Sequence, residues 1–222
     1  MNLADFIWAF LRNPKYAHGY DSIGQRALEH LQYTAEAFAL AAAIGLAFGL
    51  LTGHTGRGDT PVSALAAIAR ALPSLGLLVL LAVKLGLNFN AVLIPLVALA
   101  VAPVLLNTHA GIRAVDPAMV DAARGMGMRP WQVLLQVEIP AALPLIINGL
   151  RSAAVPIVAP ATIAAFPGYG GFGRDIVDGY SEYDYSQVAG GAFLVAMLSL
   201  LMLGFFALLS RLAVSPGVRR RG

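Results

Sequence analysis

The chain has 222 residues, 58% of them hydrophobic and only 12% charged, and its mean hydropathy is +0.72. A soluble globular chain carries roughly 25% charged residues, so this composition leaves too little polar surface for a body of this size in water. The net charge of +3 is dispersed apart from Arg219, Arg220 and Arg221, without interleaved aromatics, and there is no cysteine; a single-strand nucleic-acid groove, disulfides and thiolate metal sites are thereby excluded.

The opening stretch "MNLADFIWAFLRNPKY" carries an acidic residue before its short apolar patch, unlike a secretory signal. Leu3–Leu11 reads as a short amphipathic helix on the outer membrane surface, with Trp8 and Phe10 at the interface, or as an ordinary packed helix. Five apolar windows follow, at residues 33–52, 62–83, 89–107, 141–166 and 186–210. Helices of about 20 apolar residues cross a bilayer core. The windows are rich in Ala and Leu and do not alternate apolar with polar, which favours helices over barrel strands. The expected fold class is all-α: a polytopic membrane protein of about five transmembrane helices. It is expected to form a single transmembrane domain over 1–222, with an outer interfacial segment 1–30, a helical bundle 33–210 and a cytoplasmic tail 211–222.

Pro73, Pro95, Pro103, Pro144, Pro156 and Pro160 fall inside the windows. Each lacks a backbone donor and tends to kink a helix, which suits a bundle that opens and closes. Arg70 and Arg151 put charge inside the second and fourth windows, near enough to an end to reach the interface. Candidate pathway or gate residues are Pro73, Ser74, Arg151, Tyr169 and Phe172.

Between the third and fourth windows the pattern changes. Asp116 can cap a helix that starts with Pro117. Met119, Val120, Ala123 and Met126 then fall roughly along one face, and Gly127 can supply a left-handed stop. A second short helix is expected from Pro130, with Pro140 and Pro144 marking the start of the fourth span. The segment 116–140 is too polar to span and too compact for a linker. With the N-terminus outside, the inner segments hold Arg57, Arg113, Arg124, Arg129, Arg211, Arg219, Arg220 and Arg221; the outer ones hold Arg12, Lys15, Arg26, Lys84 and Arg174. That bias predicts N-out, C-in, and puts 116–140 on the cytoplasmic face, where a short helix can lay side chains into a partner's groove.

Further along, "GYGGFG" (168–173) fits G-x-G-x-x-G but follows a span rather than a strand, so it reads as a tight loop. Tyr169 and Phe172 are a candidate gate or docking point there, or ordinary interfacial aromatics. "SEYDY" (181–185) could attract a cationic solute or be a solvated loop. His18, His30, His54 and His109 show no metal-ligand spacing, and the spans hold no catalytic constellation, so no catalytic or metal residue and no enzyme activity is expected.

The spacing of the central segment resembles a family signature, E-A-A, three residues, G, nine residues, I-x-L-P. Here Asp121-Ala122-Ala123 precedes Gly127 by three residues, and nine more lead to Val137-Glu138-Ile139-Pro140. The chain thus resembles the permease subunits of binding-protein-dependent ABC importers. "RALPSLGLL" (70–78), "LLNTHAGIRAVDPAMVDAARGMGM" (105–128) and "APATIAAFPGYGGFG" (159–173) resemble the osmoprotectant branch. The resemblance implies a methionine-importer-permease-like fold in a bacterial inner (cytoplasmic) membrane and transport of glycine betaine, carnitine or choline. It implies coupling to a cytoplasmic ABC ATPase dimer through Asp116, Met119, Asp121, Ala122, Ala123, Met126 and Gly127. It also implies a second permease subunit, identical or homologous, and an extracytoplasmic solute-binding protein. The chain has no G-x-x-x-x-G-K-[ST] loop, so ATP and Mg are expected on the ATPase partner. A permease for amino acids such as methionine and an ion-gradient-driven secondary transporter remain the alternatives.

Overall fold

A computed structural model describes residues 2–71 and 73–213, without the side chains of 69, 70 and 74. The side chains of Arg70 and Ser74, and Arg219, Arg220 and Arg221, therefore lie outside the described residues. The described residues form helices and no strands.

The first helix, α1 (Leu3–Arg12), starts in a capping box: Asp5 N donates to Asn2 Oδ1 at 3.0 Å and Asn2 N donates to Asp5 Oδ2 at 2.8 Å. Trp8 is exposed as the amphipathic reading requires, but Phe10 is not interfacial. Its ring lies 4.4 Å from that of Tyr16 and directly over Gly190, where the missing Cβ makes room. Position 10 falls on the inner face of α1, so packing rather than lipid claims the ring.

A long helix, α2 (Ile23–Thr55), begins well before the expected window at 33. The expected second span is divided into α3 (Asp59–Ala71) and α4 (Ser74–Leu85). Pro73 is extended, with φ −72° and ψ 114°. Its ring disfavours helical backbone at the residue before it, and it has no N–H to continue a ladder. Among the described residues, four helical stretches are long and apolar enough to cross a membrane: Ile23–Thr55, Phe89–Arg113, Pro130–Ala165 and Tyr185–Ala213; Leu75–Leu85 is a shorter apolar helix.

The helix α5 (Phe89–Arg113) runs through Pro95 and Pro103 without a break. After α6 (Pro117–Gly125), a helix begins at Pro130 as expected, but it is not a separate short one. Instead α7 (Pro130–Val133) continues through a π turn, Leu134–Glu138, into α8 (Ile139–Val158). Ile139 N–H reaches back five residues to Leu134 O. The widened turn sits directly before Pro140, which has no donor to offer, and the helix continues past both Pro140 and Pro144. A 3-10 turn, Pro160–Ala165, replaces the last part of the expected fourth span. The chain closes with α9 (Phe172–Ser181) and α10 (Tyr185–Ala213).

The described residues fall into two compact units. The first comprises Met1–Ala39, Leu72–Leu99 and Ala154–Met202. Its core includes Val158, Phe172, Val195 and Leu198, backed by Ile23, Ala27 and Leu31. The second comprises Leu40–Ala71, Ala100–Ala153 and Leu203–Gly222. Its core joins Ile112, Val115, Ala142 and Ile146, backed by Leu46, Leu50, Val120 and Leu134. There α2 meets α5 along a glycine stripe. A Cβ on Gly45, Gly49 or Gly53 would stand 2.7 Å from the Cβ of Val104, Thr108 or Ile112 respectively. Small residues at this spacing let two helix backbones approach where no hydrophobic effect drives them together.

Candidate functional site

The second unit holds the element singled out by its polar sequence. Asp116 Oδ1 accepts from Ala118 N at 2.9 Å, and Pro117 takes the first helical position of α6. The helix stops as expected. Gly127 has φ +85°, its N–H donates to Arg124 O at 2.9 Å, and Met128 N–H donates to Ala123 O at 3.2 Å. These two bonds satisfy the last carbonyls of the helix, as a Schellman cap does.

The single face expected for Met119, Val120, Ala123 and Met126 splits. Ala123 is buried and Val120 packs on the core of the unit. Met119 and Met126 lie at the rim of that face, 46% and 77% exposed, near the exposed Trp131 in sequence. Asp121 and Ala122 also face outward. The element thus combines a fixed inner face with an outer face of flexible thioethers and one carboxylate, suited to a partner's groove.

Two histidine contacts that the sequence did not reveal support this element. His54 Nδ1 lies 2.6 Å from Glu138 Oε2. His109 Nδ1 lies 2.9 Å from Thr52 Oγ1, and its Nε2 lies 2.8 Å from Asp59 Oδ1.

The pathway candidates divide between the two units. Pro73 is exposed at the start of α4, and Ser74 lies outside the described side chains. Arg151 is exposed on α8 in the second unit. Tyr169 belongs to the first unit, with its ring 5.7 Å from Phe89 and 6.2 Å from Tyr33. Phe172 is 4% exposed and stacked 5.4 Å from the His30 ring. Burial removes it as a docking point for an external protein; it is a core residue. In the first unit, a cleft of about 280 Å³ lined by Leu78, Val79, Ala82, Val83, Leu87, Phe166 and Pro167 is apolar and offers no group for a charged solute.

The "GYGGFG" segment is a tight loop, with Gly168 at φ +95° and Gly171 at φ +81°. Gly171 N donates to Glu29 Oε2 at 2.7 Å, and Glu29 also pairs with Arg26. Close by in sequence, Asp175 is 2% exposed at the first turn of α9. Burial pushes its carboxyl up to about 6, opposed in part by Arg26 and Gln187. A raised carboxylate favours the folded state in its protonated form, so the stability it contributes is present below about pH 4 and lost as pH rises through about 6. Asp175→Asn is therefore expected to stabilise the protein at pH 8 by about 2–3 kcal/mol and to flatten the melting temperature between pH 4 and 6. Thermal unfolding of both proteins across that range checks this; equal pH dependence would refute it.

Comparison with known proteins places this geometry. The sequence profile of the family described as "Binding-protein-dependent transport system inner membrane component" matches residues 44–220. The carnitine transport permease protein OpuCB of Listeria monocytogenes is 33% identical over 174 residues, covering 78% of this chain and 80% of the relative. The glycine betaine/carnitine/choline transport system permease protein OpuCB of Bacillus subtilis (strain 168) is 30% identical over 191 residues, covering 86% and 88%. A solved inward-facing structure of the MetNI methionine ABC transporter superposes with a TM-score of 0.73 at 23% identity, covering 97% of this chain and 100% of that one. The fold is that of these permeases.

Proposed function

Because the chain belongs to the inner membrane components of binding-protein-dependent transport systems, we propose that it forms the membrane pathway for small zwitterionic or quaternary-amine osmoprotectants such as glycine betaine, carnitine or choline. The observation that carries the solute class is the pair of relatives named for those solutes, at 30% and 33% identity over most of both chains. The methionine transporters are 23–24% identical and speak for the fold alone, so the amino-acid reading has less support. A secondary transporter is disfavoured by the family, which works with an ATPase and a binding protein. Binding measured on the cognate binding protein tests the class: micromolar affinity for glycine betaine, carnitine or choline is expected, and failure to bind any of them would remove it.

In this reading an ATPase dimer receives α6 through Met119, Asp121, Ala122 and Met126, while Asp116, Ala123 and Gly127 hold the helix in place. A second permease completes the pathway, and ATP and Mg stay on the ATPase. Closing of the ATPases pulls on α6, which meets α7 and the π turn leading into α8, while Val120 seats on the core of the unit. The excess of Lys and Arg in the inner segments supports an N-out, C-in orientation. The chain has no cysteine, so single substitutions report sidedness cleanly. Ser181→Cys should react with a membrane-impermeant maleimide from outside and Arg124→Cys only after the inner face is opened; the reverse would overturn the orientation.

A further inference from the structure

The last turns of α2 and the first residue of α3 hold the chain on both sides of α6. Before α6, His109 on α5 meets Thr52 and Asp59. After it, Glu138 closes the π turn and meets His54.

The two contacts are unequal. The Asp59 side chain is 66% exposed, and water screens its pair with His109. The side chains of Glu138 and His54 are 6% and 18% exposed, so removing either partner strands a polar group in an apolar setting. A π turn is a local widening that interrupts the regular ladder and is a natural place for a helix to deform. Left to itself, the turn Leu134–Glu138 could absorb a push from α6 before it reached α8. The His54 contact fixes the turn's last residue to α2.

We propose that His54 and Glu138 form a positioning pair that locks the π turn to α2, so that movement of α6 is delivered to α8 instead of being lost in the turn. The proposal rests on the coupling role of α6. It also gives Glu138 a task separate from ATPase docking, since its side chain is turned into the protein.

The test uses the full transporter, reconstituted with its ATPase and binding protein, and reads the ratio of solute-stimulated to basal ATP hydrolysis. Glu138→Ala and His54→Ala are each expected to lower that ratio about tenfold, a loss of about 1.4 kcal/mol of coupling. The exchange His54→Glu with Glu138→His restores the pair in reverse and should bring the ratio back to within about threefold of the parent. A structural defect at either position alone would not be repaired by the exchange. Unaltered stimulation in both alanine variants, or an assembled exchange variant no better than either, would overturn the proposal. Should Glu138→Ala fail to assemble, Glu138→Met takes its place: it keeps the length of the side chain but offers His54 no carboxylate partner. A lowered ratio supports the pair and full stimulation refutes it. A parent transporter with no solute stimulation would instead refute the coupling reading itself.

Discussion

Gly127→Val is expected to remove most of the solute-stimulated ATP hydrolysis of the assembled transporter while the complex still assembles. A Cβ at Gly127 meets nothing within 4 Å, so the substitution clashes with no neighbour. Its cost is local: at φ +85° a β-branched residue loses about 1–2 kcal/mol or more relative to glycine. The chain relieves that strain by leaving the left-handed region. Doing so breaks the bonds from Gly127 N to Arg124 O and from Met128 N to Ala123 O, which unwinds the last turn and swings Met126 away. The cores of both units contain no residue from 124–128, so assembly survives. A cost of that size corresponds to about a tenfold loss of coupling. Gly127→Asn, which tolerates left-handed backbone, is expected to retain most of it. Stimulated ATPase activity at the parent level in the valine variant would show that the turn does not position α6.

Gly173→Ala has a different consequence, because there space rather than φ is limiting. The added Cβ would overlap Thr162 O and stand 2.6 Å from Thr162 Cα and 2.7 Å from its carbonyl carbon. These are backbone atoms of the 3-10 turn Pro160–Ala165, and no rotamer change clears them. The start of α9 must move off the turn and disturb Phe172 in the core of the first unit. Overpacking of this kind costs about 1–3 kcal/mol, and more where backbone must shift. A clear fall in melting temperature of the purified protein is expected, with loss of assembled transporter in membranes. Gly24→Ala, whose Cβ meets nothing within 4 Å, is the neutral control. Equal melting temperatures for the two variants would refute the close approach.

What was legible from the sequence was what local chemistry decides. Asp116-Pro117 and Gly127 bounded α6 correctly because caps and a positive φ select particular residues. The glycine loop at 168–173 was read as a loop for the same reason. The second span was misread as continuous because hydropathy is blind to the extended backbone that Pro73 imposes. Pro140 and Pro144 were read as the entry to the fourth span, since a sequence does not show that the helix from Pro130 runs through a π turn and past both of them. Phe10 and Phe172 were assigned to interfaces because an aromatic's burial depends on partners far away in sequence, here Gly190 and His30. The His54–Glu138 contact joins residues 84 positions apart, and neither has a local pattern that points to the other.

This chain is expected to move a betaine-type solute at the expense of ATP hydrolysed by a separate subunit. Uptake of radiolabelled glycine betaine into proteoliposomes containing the permease, its ATPase and its binding protein measures this directly. Uptake is expected with internal or external ATP placed on the ATPase side, and none is expected when the ATPase is left out. Uptake that persists without the ATPase, driven by an ion gradient, would contradict it.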